Sequence, residues 1–377
     1  MINPFSWNST EEDFLFSGKG KITMSKIISR LRSRRMLALL LAGVGLITLY
    51  AMMHGGDTSA NPPSASAASD MQKDAQSGKL QNIKSELPPY DYGMVWMSDT
   101  QYYSERYPDI YSRMVNWIAD NQNELKLRYV IHTGDVVNRD KERRQWKIAS
   151  SSMSVLERAA VPYGILAGNH DVNTKKPSYK RFGRYFGEQR FGKLPFYGES
   201  YKNNRGHYDL VEAGEQKLIF VYMGWGIGGN ELGWMDKVLK EHRDYKAILC
   251  LHDYLGVTGE RSPVGEAVFS RIVIPNPNVM AVLCGHEHNA ALVVDEVDDN
   301  HDGIRDRSVY QMLADYQKGP KGGSGYMRLL LFDETRGLLH VRTFSPYTGE
   351  FNFYKNEPYK DEFTLPWPIA QSGTANG

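Results

Sequence analysis

Short apolar segments alternate with amphipathic ones along the chain from Tyr90 onward. The strand-like segments, rich in Val, Ile, Leu and aromatic residues, are YGMVWMS, LRYVIHTG, VPYGILAG, KLIFVYMG, KAILCLH and VMAVLCG. Between them, apolar residues recur at helical spacing in PDIYSRMVNWIADNQ, KERRQWKIASSSMSVLERA and ELGWMDKVLKEH. Buried strands give continuous apolar runs, and amphipathic helices give the second spacing. The alternation of strand and helix predicts a layered α/β domain.

The pattern becomes mostly β after Ala290. The hairpin candidates there are ALVVDEV, SVYQMLADYQ, YMRLLLFDE and LLHVRTFSP. Earlier in the chain, the stretch between Val172 and Gly214 has many Tyr, Phe, Arg, Lys and Gly residues and no clear period. Two interpretations of this stretch stay open: a substrate cap with Tyr and Arg contacts, or a surface elaboration.

The N-terminal region has the pattern of a targeting segment. The basic stretch KIISRLRSRR precedes the uncharged run MLALLLAGVGLITLYAMM, which at about eighteen residues is just long enough to span a bilayer. This predicts a basic cytoplasmic N-terminus over residues 1–35 and a signal peptide or signal-anchor helix over 36–53, with the rest of the chain exported. The composition of residues 54–86 predicts a disordered linker. Residues 87–377 are then an extracytoplasmic domain, membrane-anchored or secreted after cleavage.

Composition and charge narrow the possible functions. The chain has 377 residues, of which 41% are hydrophobic, enough for a full core. A formal net charge of +1, without a nucleic-acid-binding motif, gives no case for a nucleic-acid partner, and no protein partner is inferred. The 2 cysteines, Cys250 and Cys284, argue against a disulfide scaffold and a zinc–thiolate site. Each stands two residues before a histidine at the end of an apolar run, which predicts buried strand thiols or a single bridge.

Polar side chains follow the predicted strands where each strand ends. In chain order these groups are Asp99 and Gln101, then Gly134-Asp135, Gly168-Asn169-His170-Asp171, His252, and Gly285-His286-Glu287-His288. The carboxyl ends of strands line the ligand crevice in open α/β sheets. Oxygen and imidazole donors without thiolate suit Mn, Fe, Zn, Ni or Co. The number of donors fits two ions that share a bridging carboxylate.

These motifs resemble those of the calcineurin-like metallophosphoesterases. That family has D-x-H, GD-x-x-D/N, GNH-D/E, H and GH-x-H in order, and this chain has SDTQ, GDVVN, GNHD, LHDY and GHEH over roughly residues 90 to 345. The resemblance implies a four-layer α/β-β-α sandwich of two mixed sheets. It also implies a metal-dependent phosphoric ester hydrolase with two bound transition metals and a phosphoester substrate.

The resemblance also implies a role for each motif residue. Asp99, Gln101, Asp135 and His288 would hold the first metal. Asp135 would bridge to a second metal, held by Asn169, His252 and His286. His170 would face the phosphoryl or leaving group, so that His170 and Asp135 are the expected catalytic residues. Asn138 and Asp171 would contact these side chains and position them without binding metal themselves.

Two positions depart from the commonest pattern of the family. Most members have histidine in place of Gln101, and an amide oxygen is a neutral, harder donor, so a looser or more oxygen-preferring first metal site is expected. Many members have an aspartate in place of Asn138, where it orients the GNH histidine. The side-chain amide of Asn138 is expected to orient His170 by a hydrogen bond, without stabilising its charged form.

These features favour a dinuclear phosphomonoesterase at the cell exterior, with metal-activated hydroxide attacking phosphorus. Two alternatives stay open. One is a phosphodiesterase acting on cyclic nucleotides, nucleic acid or lipid headgroups. The other is a catalytically weak, metal-containing surface-binding protein, which the departures at Gln101 and Asn138 would favour. Specificity depends on loop shapes that the pattern does not give.

Two loops have motifs of their own. In VDDNHDGIRDRSV, the residues at coordinating positions of a calcium loop are Asp298, Asn300, Asp302, Ile304 and Asp306. Val309 stands where the bidentate acid belongs, and a hairpin turn has a similar composition, so calcium and a plain turn are both open. The glycine-rich KGPKGGSGY is not followed by a helix pattern, which favours a loop beside the metal crevice over a nucleotide-binding loop.

Overall fold

The computed structural model describes residues 83–172 and 177–368. Residues 1–35, the predicted membrane segment 36–53 and most of the predicted linker lie outside this part. Within it, no helix combines the length and hydropathy needed to cross a membrane. The packed chain starts slightly before the predicted domain boundary, because Ile83 and Leu87 are partly buried against the core.

The strands are β1 (Tyr92–Met97), β2 (Leu127–His132), β3 (Tyr163–Ile165), β4 (Tyr197–Tyr201), β5 (Gly206–Ala213), β6 (Gln216–Met223), β7 (Lys246–Leu251), β8 (Val279–Cys284), β9 (Ala290–Val297), β10 (Arg307–Ala314), β11 (Met327–Asp333), β12 (Leu338–Ser345), β13 (Glu350–Phe351) and β14 (Glu362–Pro366). The helices are α1 (Gln101–Glu105), α2 (Pro108–Asn121), α3 (Arg143–Arg158), α4 (Phe182–Phe186), α5 (Glu188–Phe191), α6 (Gly229–Glu241) and α7 (Pro263–Val268). A π-helical turn at Phe269–Val273 continues α7, and single helical turns occur at Pro320–Gly323 and Pro358–Lys360.

The strands form two mixed sheets. The first has the order β13-β12-β11-β1-β2-β3, with β14 beside β12, and the second has the order β4-β5-β6-β7-β8-β10-β9. Strands β1, β2 and β3 are parallel, as are β6, β7, β8 and β10. The carboxyl ends of the parallel strands therefore lie at one edge of each sheet, where the polar motifs follow them.

Alternate residues of the buried strands enter two different apolar layers. In β1, Met94 and Trp96 lie in the layer shared by the two sheets, while Val95 and Met97 lie in the layer beneath the helices. This alternation follows from the two-residue period of a strand. Because both faces of β1 are covered, all of its residues are apolar or small, as the sequence indicated.

Helices cover the outer face of each sheet. Met114 of α2 and Trp146 of α3 pack on the first sheet, and Met235 of α6 packs on the second. The resulting order is helix, sheet, sheet, helix, as the resemblance implied. Periodicity alone had predicted a layered α/β domain without this order.

The predicted strands and helices are present, and the two late hairpins form as predicted. The two hairpins belong to different sheets, however. Strand β10 pairs with β8 in the second sheet, whereas β11 pairs with β1 in the first. The stretch without a clear period contains α4, α5 and the hairpin β4–β5, which are too short for a period to emerge. Cys250 and Cys284 are both buried free thiols, so a bridge is excluded.

Candidate metal centre

Three buried ligand groups meet at the edge where the parallel strands end. Asp99 follows β1, Asp135 follows β2 and His252 follows β7. One carboxylate oxygen from each aspartate and one imidazole nitrogen lie within 4.8 Å of one another. Each residue is only 1% exposed. Buried charged groups at this spacing, from separate strands, form a site in which a cation relieves their repulsion.

Asn169 and His286 complete a second group of donors around His252. The side-chain oxygen Oδ1 of Asn169 lies 2.9 Å from Nε2 of His252 and 3.0 Å from Nδ1 of His286. The other ring nitrogen of His252, Nδ1, lies 2.8 Å from the carbonyl oxygen of Thr133. Donation of the Nδ1 hydrogen to that carbonyl leaves Nε2 facing the site, which is the usual arrangement behind a metal-binding histidine.

Asp135 stands between the two groups of donors. Its Oδ1 lies 3.4 Å from Nε2 of His252, and its Oδ2 accepts a hydrogen bond of 3.1 Å from Nε2 of Gln101. The same carboxylate also accepts the backbone N–H of His170 at 2.9 Å. This central position is the one that a bridging ligand would occupy.

The side chain of Gln101 has a buried oxygen without a hydrogen-bond partner, which leaves it free to bind a cation. While its Nε2 donates to Asp135, its Oε1 is buried without a hydrogen-bond partner. A buried acceptor left without a partner costs about 1–3 kcal/mol, so such groups are rare unless they have a function. A divalent metal would satisfy this oxygen, and the residues present therefore fit the implied metals.

The pKa values reflect crowding of negative charge. Burial and the neighbouring Asp315 carboxylate hold the pKa of Asp99 well above its usual range. Burial raises the pKa of Asp315 to about 7, and burial with the Asp135 charge raises the pKa of Asp171 to about 7. Burial works in the same direction on Asp135, but the charge interactions and hydrogen bonds with His252 and His170 together lower its pKa. Burial would lower the pKa of His252, but Asp135 raises it to about 10.

Backbone geometry at the site is strained in the left-handed region. Asp99 and Asp135 both have φ 53°, and His286 has φ 73°. Non-glycine residues rarely adopt this conformation, and such strain is concentrated at functional sites. The glycine of the GNH motif permits close approach, because a Cβ at Gly168 would lie 2.1 Å from Oδ1 of Asp135.

His170 is oriented by a backbone group. Its Nδ1 lies 2.9 Å from the carbonyl oxygen of Asn138, so the Nδ1–H donates, and Nε2 lies 4.0 Å from Oδ2 of Asp135 on a side chain that is 40% exposed. The expectation that the side-chain amide of Asn138 orients His170 is wrong. That amide donates instead to Oε1 of Glu105 at 2.9 Å, because Glu105 is an anion that needs donors.

Asp171 joins the GNH loop to the loop after β2. Its carboxylate accepts the backbone N–H groups of Val136 and Val137, each at 2.9 Å, and that of Gly168 at 2.8 Å. Three backbone donors fix the carboxylate in one orientation. The two loops that present Asn169 and Asp135 are thereby held at a constant separation.

A family model described as calcineurin-like phosphoesterase matches residues 94–290, more than half of the chain. The chain belongs to the calcineurin-like phosphoesterase family. The matched range contains every motif residue from Asp99 to His288.

The chain is also similar to individual proteins. The uncharacterised protein YvnB of Bacillus subtilis (strain 168) is 54% identical over 287 residues, which are 75% of this chain and 22% of that protein. The chain thus spans about a fifth of that relative's length. A dimetal phosphatase from Danio rerio has 12% identity and a TM-score of 0.50, over 74% of this chain and 100% of that one, and shares the fold. A purple acid phosphatase from yellow lupin (Lupinus luteus) seeds has 13% identity and a TM-score of 0.49, over 76% and 57% of the two chains.

A buried carboxylate at the metal edge was not predicted from the sequence. Asp315 directly follows β10, and its Oδ2 lies 4.0 Å from Nε2 of His288. Gln317 donates to both carboxylate oxygens, from its backbone nitrogen at 2.8 Å and from Nε2 at 3.1 Å. The available signal was an aspartate directly after a strand, as at Asp99. His288 itself lies at the rim, with its side chain 44% exposed.

An aromatic ring beside the metal ligands was also missed. The ring of Trp225 lies 5.0 Å from that of His286 and 6.0 Å from that of His252, measured between centroids. Trp225 comes from the loop between β6 and α6. No local sequence pattern marked it.

The Asp298 loop connects β9 to β10 at the opposite end of β10 from Asp315. Asp298 accepts the backbone N–H groups of Asp302 at 3.2 Å and Gly303 at 2.8 Å, and Oδ1 of Asn300 accepts that of Asp302 at 2.9 Å. Asp306 accepts the backbone N–H of Asp299. These bonds close a hairpin turn, and calcium binding there, including through Ile304, stays a prediction.

The glycine-rich loop packs on the helix that begins with Gln101. The backbone N–H of Gly325 donates to the hydroxyl of Tyr103 at 2.8 Å. Residues 321–325 of this loop all have positive φ. Tyr103 is buried in this contact, while Tyr102 is partly exposed beside Gly322. The loop therefore supports the helix that carries Gln101 at one side of the candidate metal centre.

Proposed function

We propose that this family member is a dinuclear metal-dependent phosphoric ester hydrolase that acts on phosphomonoesters at the cell exterior. The observation that carries the proposal is the buried cluster of Asp99, Asp135 and His252, with the unsatisfied oxygen of Gln101 beside it. Burying carboxylates and an unpaired amide oxygen without a cation makes the free energy of folding less favourable. Export is supported by the predicted segment at residues 36–53.

The residues of the site would have separate roles in metal binding and in catalysis. Asp99, Gln101, Asp135 and His288, with Asn169, His252 and His286, would hold two ions. When bound, such ions lower the pKa of water and neutralise charge on the phosphoryl oxygens. His170 presents Nε2 to the crevice, where it would hold a phosphate oxygen or protonate the leaving alcohol.

A positive charge at the rim supports a monoester substrate. Burial lowers the pKa of His288, the Glu287 carboxylate raises it, and the ammonium group of Lys318, three residues after Asp315 in the chain, lowers it. Lys318 is exposed to solvent. A phosphomonoester carries one more negative charge than a diester, and an exposed lysine next to the site would attract it.

The test is hydrolysis of a chromogenic phosphomonoester and of its diester analogue by the full chain. The rates are measured with added manganese and after chelation. The proposal predicts chelator-sensitive turnover that is faster for the monoester and absent in Asp135→Asn. The matched control is Asp244→Asn, which neutralises a carboxylate that is 66% exposed and should leave the rate unchanged. Two bound metals without turnover of either ester would favour the surface-binding alternative, and faster diester turnover would favour the phosphodiesterase.

A further inference from the structure

A small pocket adjoins the metal centre on the side of His252. It has a volume of about 130 Å³ and is lined by Met223, Trp225, Ile227, His252, Asp253 and Val264. Pockets that hold drug-sized ligands measure roughly 300–1,000 Å³, so this one suits a small alcohol rather than a nucleoside. Its wall includes a predicted metal ligand, which places any occupant next to the phosphoryl position.

The aromatic wall of this pocket is held rigidly. The backbone nitrogen of Trp225 donates to the carbonyl of Ala167 at 2.9 Å, and its carbonyl accepts the hydroxyl of Tyr179 at 2.7 Å. The next carbonyl, that of Gly226, accepts a hydrogen bond from Nη2 of Arg205 at 2.7 Å. Tyr179 and Arg205 come from the stretch that had no sequence period. That stretch therefore positions the Trp225 ring before any ligand arrives, which lowers the entropic cost of binding.

The chemistry of the lining selects among ligands. Met223, Ile227 and Val264 are apolar, and Asp253 is the one acidic side chain that lines the pocket. The carbonyls of Trp225 and Gly226 are already used as acceptors. An anion would be repelled by Asp253, and a nucleobase would find few free donors and acceptors to pair with. An aromatic face beside a carboxylate is instead the arrangement that binds alkylammonium groups.

We propose that this pocket binds the cationic, choline-like alcohol portion of a phosphoester, with the Trp225 ring and the Asp253 carboxylate contacting the quaternary ammonium group. This inference rests on the proposed phosphoesterase function and names the substrate class of the same site. The ester oxygen of such an alcohol would point toward His252 and the metal centre.

Binding is tested first, with the free alcohol, so that the result does not depend on catalysis. The full chain is titrated with choline and with its neutral isostere 3,3-dimethylbutanol, and tryptophan fluorescence is followed. Choline should bind about tenfold more tightly than the isostere, within the range known for cation–π contacts. Asp253→Asn should remove most of this preference, Trp225→Leu should abolish the response, and Trp225→Phe should retain it in part. Equal binding of the two alcohols, or no response to choline in the wild type, would overturn the proposal.

Turnover is tested second, with phosphocholine and 3,3-dimethylbutyl phosphate. The proposal predicts a kcat/KM for phosphocholine about tenfold higher, and a ratio that falls toward one in Asp253→Asn. Equal rates on the two esters would contradict the pocket assignment while leaving the hydrolase function intact. Choline binding without turnover of any ester would support the pocket assignment and contradict the hydrolase function. Glycerophosphocholine as a third substrate distinguishes a lipid-derived diester from the free monoester as the source of the same choline group.

Discussion

Asp135 and Gln101 show how single side chains indicate the chemistry of this site. Asp135 touches donors of both predicted ions, and Gln101 directs one amide nitrogen to it while leaving an oxygen unsatisfied. An amide oxygen is a harder donor than imidazole, so the first ion should be one that favours oxygen ligands. The additional carboxylate of Asp315 strengthens that expectation, because it adds negative charge beside His288.

The role of His170 can be separated from metal binding by substitution. His170→Ala removes the Nε2 that faces the crevice but keeps the backbone N–H that donates to Asp135. Turnover of the monoester should fall about 10²-fold or more, as expected for loss of a general acid, while the metal content stays at the wild-type value. Steady-state kinetics and elemental analysis on the same samples measure both. Loss of metal together with activity would show that the ring supports the ligands instead.

Asp315 is expected to position His288 and strengthen the first metal site. Asp315→Asn should weaken binding of one of the two ions by about 10- to 100-fold, the usual effect of losing a carboxylate behind a ligand. Metal titration with a competing chelator measures this directly. The matched control is Asp209→Asn, another fully buried carboxylate that lies in β5. If both variants bound metal as the wild type does, Asp315 would have only a structural role.

The sequence pointed to the three clustered ligand residues but not to the hydrogen-bond partners around the site. Asp99, Asp135 and His252 could be found because each follows a recognisable buried strand. Whether the side chain or the backbone of Asn138 contacts His170 depends on Glu105, which lies more than thirty positions away. Such competition between distant groups leaves no local pattern.

At the scale of elements, the parallel strands decide where the chemistry occurs. Their carboxyl ends bring residues distant in sequence to one edge, and the tight turns that follow place Asp99 and Asp135 in left-handed conformations. Asp315 was missed for a reason at this scale. Its strand, β10, was recognised as part of a hairpin with β9, but its parallel pairing with β8 is non-local and cannot be read from alternation of residues.

The GNH turn is predicted to tolerate no side chain at its glycine. Gly168→Ala would place Cβ 2.1 Å from Oδ1 of Asp135 and 2.6 Å from Cε1 of His252, so at least one ion should be lost. The matched control is Gly233→Ala in α6, where an added Cβ meets nothing within 4 Å. That change should raise the free energy of unfolding by about 0.5–1 kcal/mol and keep both ions. Metal content and urea denaturation of the two variants check the pair, and full metal binding by Gly168→Ala would contradict the geometry.

At the scale of the whole molecule, two sheets and their covering helices form three apolar layers that hold the site edge in place. The resemblance implied this layering, whereas periodicity could not, because a buried strand reads the same whichever partner covers it. The stretch between Val172 and Gly214, which has no clear period, holds the loop of Trp225 through hydrogen bonds from Tyr179 and Arg205. These contacts join elements far apart in the chain, so no pattern within one segment could have predicted them.

Global stability should fall in acid partly because of His132. This residue is fully buried and neutral, with Nε2 2.9 Å from Oγ1 of Thr100 and Nδ1 accepting the N–H of Gly134, and burial lowers its pKa to about 3. The unfolded chain protonates near its ordinary value of 6.5, so the stabilisation is complete above that pH and declines as pH falls toward 3. Between pH 3 and 6.5, the free energy of unfolding of the wild type should therefore fall with decreasing pH more steeply than that of His132→Gln. The difference between the two slopes should be about 1.4 kcal/mol per pH unit. Urea denaturation at several pH values checks it, and parallel curves for the two proteins would contradict it.

A dinuclear site bridged by Asp135 would hold two ions per chain, so the decisive measurement is the metal content of the purified full chain. The measurement is elemental analysis after manganese loading and gel filtration, on wild type, Asp135→Asn and the exposed control Asp244→Asn. Two ions per chain are expected in the wild type and the control, and at most one in Asp135→Asn. Two ions retained by Asp135→Asn, or none bound by the wild type, would contradict it.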